Sequence, residues 1–289
     1  MGTDGIVEGY LRRLGVEHPG QPTLEALHAL QTAHVERVAY EVIDIHLGRF
    51  ARLDARRSAE QICRHHRGGY CYQLNGAFSL LLSQLGYDVQ WHRGGVQTRG
   101  ELSAPGVAIA NHLALTVHGL PTPQCPSGVW FVDAGLGDGI HEPLPLHEGT
   151  YEQGPMTFGL RRSEVEPGGW RFDHDPRGSF VGFDMRMAPA TVADFQERHE
   201  YLSTSPKSSF VRTFCVQRRD AGGVDTLTGC VLRRVDAHPD EPRTLDQRTD
   251  WFGVLADVFR LPLLDLSPAD RDALWRDVHT AHESWLATA

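Results

Sequence analysis

The run Arg67–Asn75 reads Arg-Gly-Gly-Tyr-Cys-Tyr-Gln-Leu-Asn, and the chemistry that this order of residue types can supply is that of a reactive thiolate. Two glycines break the chain. Cys71 then falls in the first turn of an amphipathic stretch whose apolar residues are Leu74, Ala77, Phe78, Leu81, Leu82 and Leu85. A helix start presents unpaired backbone N–H groups and a partial positive charge, and both stabilise an anion. The thiolate, not the thiol, is the nucleophile. The competing reading is a buried structural cysteine, since free cysteine is among the most buried residue types.

Such a nucleophile needs a base, and His112 is the candidate. In Asn111–Val117, Leu113, Leu115 and Val117 alternate with His112, Ala114 and Thr116, so a strand places His112 on the face of smaller residues. His92 and His118 compete, but each stands at a strand end beside a turn. Asp133 closes the apolar run Val129–Val132 and is costly to bury unless paired. It can fix the tautomer of an imidazole and stabilise its cation. The competing reading is an aspartate that opens a turn ahead of Gly135. A short loop rich in proline and glycine joins the two strands, so antiparallel pairing brings His112 and Asp133 together. Gly135 and Gly137 allow a ligand to approach the backbone closely, but they lack the following helix and the wider glycine spacing of a dinucleotide or phosphate loop.

The elements that must carry these residues follow from periodicity. Residues 3–85 read as helical. Gly15 stops a first helix, Thr23 caps a second, and Ser58 caps a third that ends near His66. Ala26 stands where a full capping box would have Glu or Gln, and Gly86 is placed to end the helix that begins at Cys71. After Gly86 the texture becomes β-branched and aromatic with turn residues between. Strands are expected over Val89–Arg93, Val107–Val117, Gly128–Asp133, Met156–Arg162, Gly169–His174 and Phe180–Met187, forming a small barrel or curved sheet. A helix over Thr191–Tyr201, strands over Phe210–Arg218 and Thr226–Val235, and a helical tail from Asp250 complete the order.

Bulk properties narrow the class. The 289 residues exceed one small core. A formal net charge of −9 argues against a nucleic-acid binder, and no apolar run reaches membrane-helix length. The start, Met1–Val7, lacks the pattern of a secretory signal. Five scattered cysteines form neither a zinc ribbon nor a disulfide framework and fit a reducing, cytoplasmic setting. The histidine pair His65–His66 lacks partners at ligand spacing, so no metal is expected.

Together these segments resemble the arylamine N-acetyltransferase family. The resemblance rests on Tyr10–Gly15, Arg67–Asn75, His112 in its strand, Val132–Gly137 and Ser203–Phe210, in that order along the chain. It implies an α+β fold in three domains: a helical bundle over residues 1–88 carrying the nucleophile, an antiparallel β-barrel over 89–202 carrying His and Asp, and an α/β lid over 203–289. It implies a papain-like Cys-His-Asp triad at Cys71, His112 and Asp133. It also implies ping-pong transfer of an acyl group, typically from acetyl-CoA, to a small-molecule amine, with no metal and no bound prosthetic group. Ser209, Phe210 and Thr213 are implied cofactor contacts beside Gly135 and Gly137, and Tyr40, Tyr70, Asn111 and Leu136 are implied to line the substrate site.

The departures bear on substrate. Ala39–Val42 reads Ala-Tyr-Glu-Val where the family usually has Pro-Phe-Glu-Asn, and Gln73 replaces a usual Glu. Leu136 stands where the family's phenylalanine helps clamp an aromatic amine. A smaller residue there suits a bulkier acyl chain, so a second reading is a biosynthetic amide synthase fed by an acyl carrier protein. A cysteine hydrolase and a non-catalytic binding protein on the same fold are further alternatives.

Overall fold

In a computed structural model describing residues 3–238 and 241–287, the nucleophile segment lies where a helical layer meets a β-barrel. Helices α1 (Thr3–Leu14), α2 (Leu24–Arg37), α4 (Ala55–His65) and α5 (Cys71–Gln84) form that layer, and between α2 and α4 lie the short strand β1 (Tyr40–Glu41) and helix α3 (Ile43–His46). Thr23 caps α2 by accepting from the Ala26 N–H, as expected. The cap of α4 is Asp54, which accepts from the Arg57 N–H, and not Ser58. Ser58 lies one turn inside, its hydroxyl bonded back to the Asp54 carbonyl, because the earlier aspartate can reach the free N–H groups first.

The barrel is an antiparallel sheet with the order β5-β4-β3-β2-β9-β8-β7-β6. Its strands are β2 (Asp88–Thr98), β3 (His112–His118), β4 (Trp130–Val132), β5 (Leu144–Pro145), β6 (Gly149–Gln153), β7 (Met156–Arg162), β8 (Trp170–Asp173) and β9 (Phe180–Met185). Tyr151 spans the seam between β5 and β6, its hydroxyl donating to the His147 carbonyl at 2.8 Å. Residues 107–109 form a 3-10 turn rather than the start of β3, because Ala110 adopts a left-handed conformation that cannot continue a strand. Both faces of β3 are buried. Leu113, Leu115 and Val117 pack on the helices, while Ala114 belongs to the barrel interior with Phe131, Phe158, Phe172 and Phe183.

After α6 (Gln196–Thr204) and the short α7 (Ser209–Arg212), a second sheet has the order β1-β10-β11-β12-β13. It contains β10 (Cys215–Asp220), β11 (Gly223–Thr228), β12 (Val231–Asp236) and β13 (Arg243–Thr244). The expected single strand Thr226–Val235 is therefore two, split by a turn at left-handed Gly229, and Phe210–Arg212 is helical rather than extended. The expected helical tail divides into α8 (Arg248–Asp257) and α9 (Pro268–Leu286). Their apolar faces, with Trp251, Leu255 and Leu274, and Phe259 from the segment between them form a core with Phe214, Val216 and Leu227.

Candidate active site

Helix α5 begins at Cys71 itself. The Tyr70 N–H just before it donates to Gln73 Oε1 at 2.9 Å, so the neutral amide closes this helix start without a carboxylate. The turn is pinned from behind: a Cβ on Gly68 would lie 1.8 Å from the Ala39 carbonyl oxygen, so only glycine fits there. Cys71 Sγ is buried, 3.7 Å from the Asn111 carbonyl oxygen and in hydrogen-bonding contact with His112. His112 Nε2 lies 2.7 Å from Asp133 Oδ2, which leaves the other ring nitrogen for the sulfur. Pairing of β3 with β4 in the register Leu115↔Val132 brings these two side chains together, as the strand reading expects. Burial opposes charge on His112, but the charge and hydrogen bond of Asp133, aided by Cys71, outweigh it and push the imidazole pKa up to about 10. The competing histidines are accounted for. His92 is buried against Thr116, its pKa lowered to about 4 by burial, and His118 bonds the same hydroxyl.

Asp133 is held by more than its histidine. Asn75 Nδ2 donates to its Oδ1 at 2.8 Å and to the Leu113 carbonyl at 2.7 Å, while Asn75 Oδ1 accepts from the Ala134 N–H. The Gly135 N–H also donates to Oδ1, and Gln31 accepts from the Asp133 N–H. Sequence reasoning missed these roles for Asn75 and Gln31. For Asn75 a signal was present, since four residues after Cys71 on a helix is the same face. Gln31 carried none, being one polar residue on an apolar stripe.

Gly135 packs on the nucleophile's backbone, where an added Cβ would lie 2.7 Å from Cys71 Cα and 2.9 Å from its carbonyl oxygen. We expect Gly135→Ala to destabilise the protein by about 1–3 kcal/mol through overpacking and to slow alkylation of Cys71, measured by urea unfolding and by iodoacetamide kinetics. Gly137 faces Gln217 and Tyr40. Leu136 does not open a pocket. Its side chain is buried in the barrel core, and the space it shares with Tyr40 and Gln217 is about 10 Å³, room for one water-sized group. The case for a longer acyl chain that rested on Leu136 therefore falls. The Asn111 side chain is likewise engaged, bonding the Val96 N–H and carbonyl of β2, so only its backbone oxygen faces the sulfur. Tyr70 bonds His199 and Ser203 through its hydroxyl and packs at a tilt against Tyr72 and Phe210 as an aromatic wall.

A cleft of about 720 Å³ runs between the barrel and the second sheet, with Asp138 and Gln217 on its wall near Gly137. Thr213 lines it, as do Arg99, Arg177, Arg212 and Arg233. Ser209 and Phe210 do not line it; Phe210 packs instead on Tyr40 and Tyr70. Arg212 and Arg233 carry no ion pair among the described residues, and the Nε2 atoms of His46 and His282, two further lining residues, are buried without a partner. That donor-rich lining suits the phosphate-bearing end of CoA. Among the described residues no group of three or more His, Cys, Asp or Glu is arranged to hold a metal ion.

A buried thiol beside a histidine that is charge-paired to an aspartate, set on a helix start against a barrel, is an arrangement chemically able to take up an acyl group on sulfur. A family model described as N-acetyltransferase matches residues 23–266. The chain is 27% identical over 249 residues to arylamine N-acetyltransferase 2 of Mesocricetus auratus, covering 78% of this chain and 82% of that one. It is 27% identical over 250 residues to arylamine N-acetyltransferase 1 of Homo sapiens, with the same coverage. The Mycobacterium marinum arylamine N-acetyltransferase solved in complex with CoA superposes with a TM-score of 0.82 at 26% identity, over 95% of this chain and 99% of that one. The Mycobacterium abscessus enzyme matches with a TM-score of 0.82 at 25% identity, over 96% of each chain. The chain belongs to the arylamine N-acetyltransferase family.

Proposed function

We propose that this protein moves an acetyl group from acetyl-CoA to an aromatic amine by a ping-pong sequence through a thioester on Cys71. The observation that carries this reading is the contact chain Cys71–His112–Asp133, with an imidazole held protonated beside the sulfur. Cys71 Sγ attacks the acetyl carbonyl carbon, the bond to the CoA sulfur breaks, and the leaving thiolate takes a proton from His112. The amine then attacks the acyl-enzyme, His112 accepts the amine proton, and Cys71 leaves as the thiolate. Splitting the transfer gives two easier steps. CoA would lie in the 720 Å³ cleft with its phosphates toward Arg212 and Arg233, a placement supported by those unpaired guanidinium groups.

The division into a bundle over 1–88, a barrel over 89–202 and a lid over 203–289 is part of this reading, supported by the two sheets, although the apolar core of the bundle also takes in Leu113, Leu115 and Val117 of β3 and that of the lid takes in Ala39 and Ile43. No helix among the described residues is long and apolar enough to cross a membrane. A reducing, cytoplasmic setting is the one in which the five free cysteines persist as thiols.

Intact-protein mass spectrometry after mixing with acetyl-CoA and no amine tests the reading. We expect one acetyl added to the wild type and none to Cys71→Ala. An adduct that survives the substitution, or a wild type left unmodified, removes Cys71 as the acceptor.

A further inference from the structure

An inner strand of the second sheet presents one unengaged amide to the site. In β10, Gln217 pairs with Tyr40 of β1 on one side and with Thr226 of β11 on the other, so its backbone is held from both edges. Val216 packs into the core shared with α8 and α9, and the alternation of a strand turns Gln217 to the face toward the barrel. Arg219 leaves β10 on that same face and ties it to the barrel side. Its Nε donates to the Gly139 carbonyl at 3.2 Å and one terminal nitrogen to the Gln153 carbonyl at 2.6 Å. The Gln217 side chain is thereby seated over the loop that follows Asp133. A Cβ on Gly137 would lie 3.1 Å from Gln217 Cδ and closer still to its Oε1.

Gln217 is 4% exposed, yet its amide makes no hydrogen bond among the described residues. The other amides around the nucleophile are engaged: Asn75 and Asn111 at both ends, Gln31 and Gln73 through their oxygens. Nor are the Gln217 amide atoms sealed from solvent, as His46 Nε2 and His282 Nε2 are. The residue lines both the small space beside Asp133, Ala134 and Gly137 and the 720 Å³ cleft. Gly137 stands two residues past Gly135, which packs on Cys71. The amide therefore lies where the cleft meets the loop that backs the nucleophile. A largely buried donor and acceptor without partners are unfavourable, and methionine would fill much the same volume, so packing alone gives no reason for the amide.

We propose that Gln217 is a specificity-determining residue that hydrogen-bonds an amide of the pantetheine arm of the thioester donor. This rests on the acyl-transfer reading, with CoA in the cleft. A donor whose phosphates face Arg212 and Arg233 reaches Cys71 through that arm, which is uncharged and flexible and carries a pair of secondary amides. A carboxamide complements a secondary amide at both ends, Oε1 accepting from its N–H and Nε2 donating to its carbonyl. A charged side chain in the same place would face a neutral arm and stay unpaired. Few polar groups are needed to orient a ligand in such a cleft, provided that each is fixed, and the two strands beside β10 together with Arg219 fix this one. The contact is the same before and during acyl transfer, so it acts on binding of the donor and not on the chemical step.

Acylation of Cys71 without amine, compared in wild type and Gln217→Met, decides it. The donors are acetyl-CoA and S-acetyl-pantetheine, followed by thiol release, and p-nitrophenyl acetate, which carries no amide, followed by nitrophenolate release. We expect the second-order rate constants for both thioesters to fall together by about 10-fold relative to that for the ester, through weaker binding at an unchanged maximal rate. Tm should not fall, because no hydrogen bond of the empty enzyme is lost. Unchanged constants for the thioesters overturn the proposal. A loss with acetyl-CoA alone also overturns it, since the amide would then meet the nucleotide end. So does an equal loss with all three donors, which would mean that the side chain acts on the thiol or the fold, and so does a loss greatest with the ester. A wild type that iodoacetamide alkylates but no donor acylates overturns the acyl-transfer reading itself.

Discussion

Asp133→Asn is expected to lower the alkylation rate of Cys71 at neutral pH, and the acetylation rate with it, by on the order of 10³- to 10⁴-fold. The asparagine carbonyl oxygen can take the place of Oδ1 and keep the hydrogen bonds from Asn75 and Gly135. Its amide nitrogen then stands where Oδ2 was, 2.7 Å from His112 Nε2, and offers a donor where the histidine needs an acceptor. The imidazole must turn its lone pair toward the amide and carry its one proton on the nitrogen facing the sulfur. That nitrogen then has no lone pair to accept the thiol proton, and a neutral imidazole is too weak an acid to give its own proton to a leaving group. Charge works in the same direction. Without the carboxylate, burial is left as the leading influence on His112 and drives its pKa down from about 10. The measurement is iodoacetamide kinetics from pH 5 to 10; an Asp133→Asn variant alkylated at the wild-type rate at pH 7 would show that the carboxylate is not what ionises the pair.

The same pair predicts a stability profile. The folded pKa of His112 lies above the ordinary imidazole value of about 6.5, so the stabilisation it adds is complete below that value. It is lost as pH rises through about 10. We expect urea denaturation to show the wild type losing more stability between pH 7 and 10 than Asp133→Asn does. Equal losses would mean that the imidazole is not charged in the folded protein.

What could be read from the sequence, and what could not, divides along physical lines. The start of α5 at Cys71 was legible because a glycine pair, a helical apolar stripe and a terminal Gly86 are all local signals. The pairing of His112 with Asp133 was legible because two strands joined by a short loop have few ways to pair. The inward face of β3 was not. Alternation gave His112 a face of small residues and nothing of what covers it; the partner of that face is the barrel interior, and the Phe183 ring packs on the imidazole with centroids 4.8 Å apart. The substrate contacts were the least legible for the same reason. The residue type at 136 says that a ring is missing, whereas the direction of Leu136 into the barrel decides whether any space results. Asn111 looked like a site residue by position, yet its amide is used up on the edge of β2. Side-chain direction at a turn is a tertiary property, and no local periodicity encodes it.

Arg67→Met is expected to unfold the protein more readily than any single change at the triad, at a cost of about 3–5 kcal/mol, or roughly 10 °C in Tm. The Arg67 side chain is 1% exposed and holds three carboxylates at once. Nε lies 3.0 Å from Glu41 Oε1, one terminal nitrogen 3.3 Å from Glu41 Oε2 and 3.2 Å from Asp44 Oδ1, and the other 3.0 Å from Asp265 Oδ2. These ties join the nucleophile's turn to β1, to α3 and to the loop before α9. A methionine replaces the alkyl stem but leaves the buried Glu41 carboxylate facing Asp44 with no cation. Burial already raises the Glu41 pKa above the carboxylate norm, with Arg67 the chief influence pulling it down. Removing the arginine raises it further. A carboxylate whose folded pKa is raised costs stability as pH climbs above its unfolded value, and that cost vanishes in acid. The gap in Tm between wild type and Arg67→Met should therefore be wider at pH 7.5 than at pH 5. Adding Glu41→Gln to Arg67→Met should recover part of the loss, because it removes the uncompensated charge, while Glu41→Gln alone should destabilise. Thermal melts of the four proteins at both pH values close the cycle. A gap that does not depend on pH, with no recovery in the double variant, would mean that Arg67 acts through its packed alkyl stem and not through its charge.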